Sequence, residues 1–98
     1  MKLTWAPLAR EQTADAFAFI SAERPSAALC WFEEMVERAG SLSEFPDMGR
    51  MMPEAGRPEV REVIVEPYRL IYRRDPDEVV IIGVFHSRQD VDADSLGG

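Results

Sequence analysis

Polar and apolar residues alternate from Lys2 to Ala6, with Leu3 and Trp5 on one side, and the alternation predicts a short first strand. The period then changes. From Leu8 to about Ala22 the chain is rich in alanine. Ala14, Phe17 and Ile20 recur there at helical spacing as one apolar stripe, which predicts a helix. Pro7 stands where its missing N–H costs nothing in a first turn. Arg24-Pro25 ends the stripe, because a residue before proline avoids the helical region. A second helix runs from about Pro25 to Leu42, with Ala28, Trp31, Phe32, Met35, Ala39 and Leu42 on a broad apolar face. Glu33, Glu34 and Glu37 fall largely on its other side. So short a break between helices predicts a hairpin with one face buried on a sheet, leaving any remaining apolar surface to a partner.

Phe45 to Pro58 holds prolines at 46, 53 and 58 and glycines at 49 and 56, so it reads as a loop, long enough to carry function. Three strand candidates follow: Val60 to Glu66, Tyr68 to Arg74 and Glu78 to His86. Glu66-Pro67 and Asp75-Pro76-Asp77 are the turns between them. Val79 to Phe85 is apolar at every non-glycine position, as in a central strand covered on both faces. The order predicts a small α+β domain over residues 1–90: strand, helix, helix, loop, three strands, with the helical hairpin on an antiparallel-rich sheet. Residues 91–98 read as an acidic, frayed tail.

A chain of 98 residues is sized for one core. Its single cysteine, Cys30, excludes an internal disulfide and suits a reducing compartment. The amino terminus lacks the apolar run of a secretory signal, and Val79 to Phe85 is too short to span a bilayer, so the expected location is the cytoplasm. Net charge is -7, which argues against a protein that grips nucleic acid through its phosphates. Lys2 is the lone lysine, and the other basic residues are all arginine. Arginine's planar fork suits specific bidentate pairs better than a diffuse basic field.

Several short motifs stand in a telling order. They are Pro25-Ser26-Ala27-Ala28, Phe45-Pro46 followed by Gly49-Arg50, Arg61-Glu62, Pro67 to Arg73 (PYRLIYR), and Val84 to Asp90 (VFHSRQD). Together they make the chain resemble the ParE/RelE superfamily of bacterial toxins, on the ParE side, over nearly its whole length. The resemblance implies the toxin of a type II toxin–antitoxin pair and a cognate ParD-like antitoxin. It also implies DNA gyrase as the protein target, and contact with DNA only through the antitoxin. Such an antitoxin pairs a DNA-binding domain with an amphipathic, acidic tail. This chain departs from its relatives in being acidic where they are often neutral to basic, so apolar anchors are expected to outweigh long-range attraction.

The alternatives are a ribosome-dependent RNA endonuclease of the RelE type and an inactive toxin-derived binding module. Cleavage by 2′-hydroxyl attack needs a proton acceptor, a donor and cations near the phosphorane. His86, the only histidine, with Arg61, Arg69 and Arg88, would have to supply them; the plainer reading of His86 is a strand-end hydrogen bonder on the parity of Val80, Ile82 and Val84. The favoured reading has no catalytic residues, cofactor or metal. Arg61 and Arg73 come together on one face if the strands pair symmetrically about Pro67, each then needing an acid. Arg61, Arg69 and Arg73 either brace the sheet or, with Tyr68, Tyr72, Trp31 and Met35, bind a partner. Gly49 and Arg50 read as a loop anchor.

Overall fold

Two prolines punctuate the helical half of the chain. Pro7 opens α1 (Pro7–Glu23) and Pro25 opens α2 (Pro25–Ser41), each in the first turn where no N–H is missed. Arg24 alone separates them, its extended backbone closing one helix and starting the next. The computed structural model describes residues 1–91; the last part of the expected tail, 92–98, lies outside the described residues. Its strands are β1 (Lys2–Trp5), β2 (Arg50–Met51), β3 (Val60–Val65), β4 (Tyr68–Arg74) and β5 (Glu78–His86). They form one sheet in the order β1-β5-β4-β3-β2. Only β1 and β5 run parallel; the other pairings are antiparallel. The α+β class and the helical hairpin on an antiparallel-rich sheet are as the sequence predicts.

The hairpin covers one face of the sheet, α1 over β5 and α2 over β3. Ala9 and Ala16 of α1 join Trp31, Met35 and Ala39 of α2 in one buried cluster at this layer. Alanines there let the helices approach one another and the sheet closely. Beneath them lie Val63, Val65, Tyr68, Leu70, Tyr72, Val79, Ile81 and Val84. The reverse face has its own smaller cluster of Met52, Val60, Ile71, Ile82, Phe85 and Val91. Central strand β5 is therefore covered on both faces, and Val91, beyond the strand, is part of the packing.

Four details differ from the sequence expectation. The loop contains a strand, β2, whose two residues pair with Glu62 and Arg61 and leave no periodic signal. On α1 the buried positions are Ala9, Thr13 and Ala16; Ala14 is exposed, and Phe17 and Ile20 are half-buried. Thr13 can be buried because its hydroxyl donates to Ala9 O at 2.8 Å. Between β3 and β4 the register is Arg61↔Tyr72 and Val60↔Arg73, one residue off symmetry about Pro67, so Arg61 and Arg73 point to opposite faces. Finally, an irregularity at Ile71/Tyr72 lets β4 pair with Gly83 and then Ile81, leaving Ile82 as an inserted residue. Val84 and His86 consequently face the helices, whereas Ile82 packs on the reverse side.

Candidate functional site

The arginine-rich strands were the prominent candidate, and the structure accounts for each guanidinium. On the reverse face Glu62, fully buried, accepts from Arg50 Nε and Arg69 Nε, both at 2.7 Å. Arg69 also bonds Glu54 at 3.2 Å. Burial by itself would lower the Arg69 pKa; the bonds and charges of Glu62 and Glu54 outweigh it and hold the pKa above its ordinary value. The Glu54 carboxyl is lowered, mainly by a hydrogen bond from its own backbone and less by Arg69. Arg73 chelates Asp75 through Nε and Nη2 at 2.9 and 3.1 Å, which raises its pKa. Arg50 is thus tied to the sheet, as an anchor would be.

The same logic holds the loop to the helix-side end of the sheet. Tyr72 donates its hydroxyl to Pro46 O at 2.8 Å and accepts the Gly49 N–H at 3.0 Å. Burial raises the Tyr72 pKa, and the Gly49 N–H partly offsets that. A Cβ at Gly49 would sit 2.6 Å from the Tyr72 hydroxyl and 2.8 Å from Glu62 O, so only glycine fits. Arg61 Nη1 donates to Gly49 O at 2.8 Å and to Asp47 O at 3.2 Å. Arg74 Nε lies 2.9 Å from Asp47 Oδ1, an ion pair off the hydrogen-bond direction. Trp31 is likewise committed: its indole N–H donates to Val65 O at 3.2 Å, and its ring packs on Tyr68 at 5.2 Å.

His86, the last residue of β5, pairs with Tyr68 at the opposite end of β4. Its ring meets Tyr68 edge-on at 5.3 Å, and Nδ1 accepts the Arg88 N–H at 3.1 Å. It opens on a cavity of about 280 Å³ lined also by Gln12, Asp15, Phe19, Tyr68 and Gln89. Burial raises the Tyr68 pKa. The other cations named for acid–base chemistry do not converge here. Arg69 pairs with Phe85 and points to the reverse face, and Arg61 lies at the far end of β3, paired with Tyr72. Arg88 is exposed just past the strand. Among the described residues no cluster of His, Cys, Asp or Glu suits a metal ion, and no helix is long and apolar enough to cross a membrane.

The unengaged surface is on the helices. Leu29, Phe32 and Val36 of α2 are 56%, 42% and 52% exposed, one helical turn apart on the flank that faces α1. Phe32 meets Phe17 of α1 edge-to-face at 5.9 Å. On either side of Phe32 lie apolar hollows of about 280 and 400 Å³, with Thr13 and Ala14 on the α1 wall of both. Met35 floors the first, so one of the two helix residues named as partner-binding does reach this groove. Sequence reasoning placed Phe32 on the apolar face and counted 36 among positions that could not all be buried there, but missed Leu29. Its one-turn spacing to Phe32 was the available signal. It also missed Gln12, whose side-chain oxygen accepts the Val84 N–H at 2.8 Å and latches α1 to β5.

Comparison with known proteins agrees with this architecture. The family described as ParE toxin of type II toxin-antitoxin system, parDE, matches residues 3–91. The chain belongs to the ParE toxin family. Among solved structures, one titled "Chromosomal ParDE TA system from P. aeruginosa" superposes with a TM-score of 0.73 at 22% identity, covering 88% of this chain and 95% of that one. No curated protein matches significantly by sequence. For a ParE-type toxin the division of labour is informative: the sheet's arginines are consumed in holding the fold, and the helical hairpin carries the open apolar groove.

Proposed function

We propose that this ParE-type toxin acts in the cytoplasm by binding a protein target, DNA gyrase by family resemblance, rather than by cleaving a covalent bond. We propose further that a cognate ParD-like antitoxin neutralises it by laying a segment along the helical hairpin, and that DNA contact comes only through that antitoxin. The observation that carries this reading is the apolar groove around Phe32, an exposed surface with no internal partner, beside a sheet whose arginines are internally paired. Inducible expression of the chain alone should arrest growth, and co-expression with its antitoxin should restore it. Unimpaired growth without the antitoxin contradicts the toxin role. A supercoiling assay unaffected by excess purified protein removes gyrase.

One observation favours the endonuclease as a second reading: His86 faces a cavity of mixed lining with Tyr68 and Asp15 on its wall. In translating extract, message cleavage abolished by His86→Ala would establish it. No cleavage, or equal cleavage by the variant, dismisses it.

A further inference from the structure

Away from the hairpin groove, the cavity beside His86 gathers polar side chains that the fold leaves without partners. The Asp15 carboxylate, the Tyr68 hydroxyl and the Gln89 amide belong to residues lining it, and none has a hydrogen-bond or ion-pair partner among the described residues. Gln12 commits only its side-chain oxygen, to the Val84 N–H, and keeps its amide N–H groups. His86 accepts the Arg88 N–H through Nδ1, which puts the ring proton on Nε2, also without a partner. Aromatic surface stands beside these groups: Phe19, 69% exposed, and the edge-on pair of Tyr68 and His86.

Charge decides which ligand suits such a lining. Asp15 is the one lining residue with a full charge; Arg88 is not on the wall, and the chain as a whole carries -7. An anion would meet Asp15 with no lining cation to offset it. A hydrocarbon would displace water from Asp15 and the Tyr68 hydroxyl and give them nothing in exchange, which is costly for both. An ammonium group pairs with Asp15 and rests against the ring faces of Phe19 and Tyr68, which attract cations. An oxygen on the same molecule can accept from Gln12 or from His86 Nε2. We propose that this cavity binds a small organic cation, an alkylammonium ion bearing a hydroxyl or carbonyl oxygen, with Asp15 as its counter-ion. A volume of about 280 Å³ suits a molecule of that size. The inference rests on neither functional reading above: toxicity is read from growth arrest and nuclease activity from message cleavage.

Three probes of similar length and different charge test it: 4-aminobutanol, 1,4-butanediol and 4-hydroxybutyrate, each titrated into the purified chain at low salt. His86 is the only histidine, so its ring signals in NMR report on this cavity without ambiguity. The amine should shift them with a dissociation constant on the order of millimolar, about tenfold below that of the diol, with hydroxybutyrate weakest. Asp15→Asn should bring the three probes within about twofold of one another, and Phe19→Ala should weaken the amine about threefold. Glu23→Gln, at the far end of α1, should leave the order unchanged; circular dichroism checks that the variants fold. Equal or tighter binding of the diol or hydroxybutyrate overturns the proposal. So does the absence of a His86 shift with every probe, or a preference for the amine that survives Asp15→Asn or follows Glu23 instead.

Discussion

The strands from Val60 to Arg74 and the outer side of α2 make opposite uses of conspicuous side chains. On the strands, arginines and tyrosines that look like a binding face have partners within the fold: Arg69 with Glu62 and Glu54, Arg73 with Asp75, Arg61 with Gly49 O, Tyr72 with Pro46 O and Gly49 N–H. On α2, Leu29, Phe32 and Val36 are plain apolar residues in an alanine-rich hairpin, yet they stay exposed, and Glu33 beside them has no ion-pair partner among the described residues. Chemically rich side chains here hold the scaffold, and chemically simple ones form the available surface. Forked cations lose function as contacts once burial commits them to internal acids. An apolar side chain left in water keeps its driving force for a partner.

Substitutions on the two regions should therefore separate stability from binding. The largest loss of stability is expected for Glu62→Ala, which takes from the buried Arg69 its fully buried acid; about 3–5 kcal/mol should be missing in urea denaturation. A loss under about 1 kcal/mol would show the cluster to be a surface decoration. Gly49→Ala should cost about 1–3 kcal/mol, because its Cβ meets the Tyr72 hydroxyl and Glu62 O at 2.6 and 2.8 Å. Tyr72→Phe removes one hydrogen bond given and one received, about 1–2 kcal/mol by thermal melting. Phe32→Ala, at an exposed site, should change stability least, by about 1 kcal/mol or less, and instead impair partner binding.

A quieter check uses pH. Tyr68 and Tyr72, the only tyrosines, both have pKa values raised by burial. A raised folded pKa means the contribution to stability is intact below the unfolded value of about 10 and is lost as pH climbs through the folded one. Tyrosinate absorbance should thus rise only above pH 10 in the native chain, with alkaline unfolding accompanying it. Native titration at or below the free value would show the two rings to be solvated.

Much of the fold was legible in the sequence, and the exceptions have identifiable causes. Pro7 and Pro25 marked both helix starts because proline's chemistry is local. The apolar run of β5 announced a central strand for the same reason. The buried side of α1 was not readable, since alanines occur all round it and Thr13 and Gln12 occupy inner positions satisfied only by Ala9 O and Val84 N–H. The inserted Ile82 erased the parity argument for His86, because one extra residue in a strand has no composition signature. Arg61 and Arg73 were separated by a slip of one residue in pairing, fixed by tertiary contacts on both faces. Of the groove, Phe32 and Met35 were visible as apolar helix positions. That Trp31 would turn inward to Val65 and leave Leu29 and Val36 outside depended on where the sheet lay.

The central claim is that this toxin is gripped through its helical hairpin and only braced by its arginine strands. Titration calorimetry against the cognate antitoxin, comparing Leu29→Ala/Phe32→Ala with Arg73→Ala, tests it most directly. The groove pair should weaken binding by about a hundredfold or more while the strand variant shifts it by less than about threefold. A strand variant that abolishes binding, with the groove pair binding like the parent, would contradict the account.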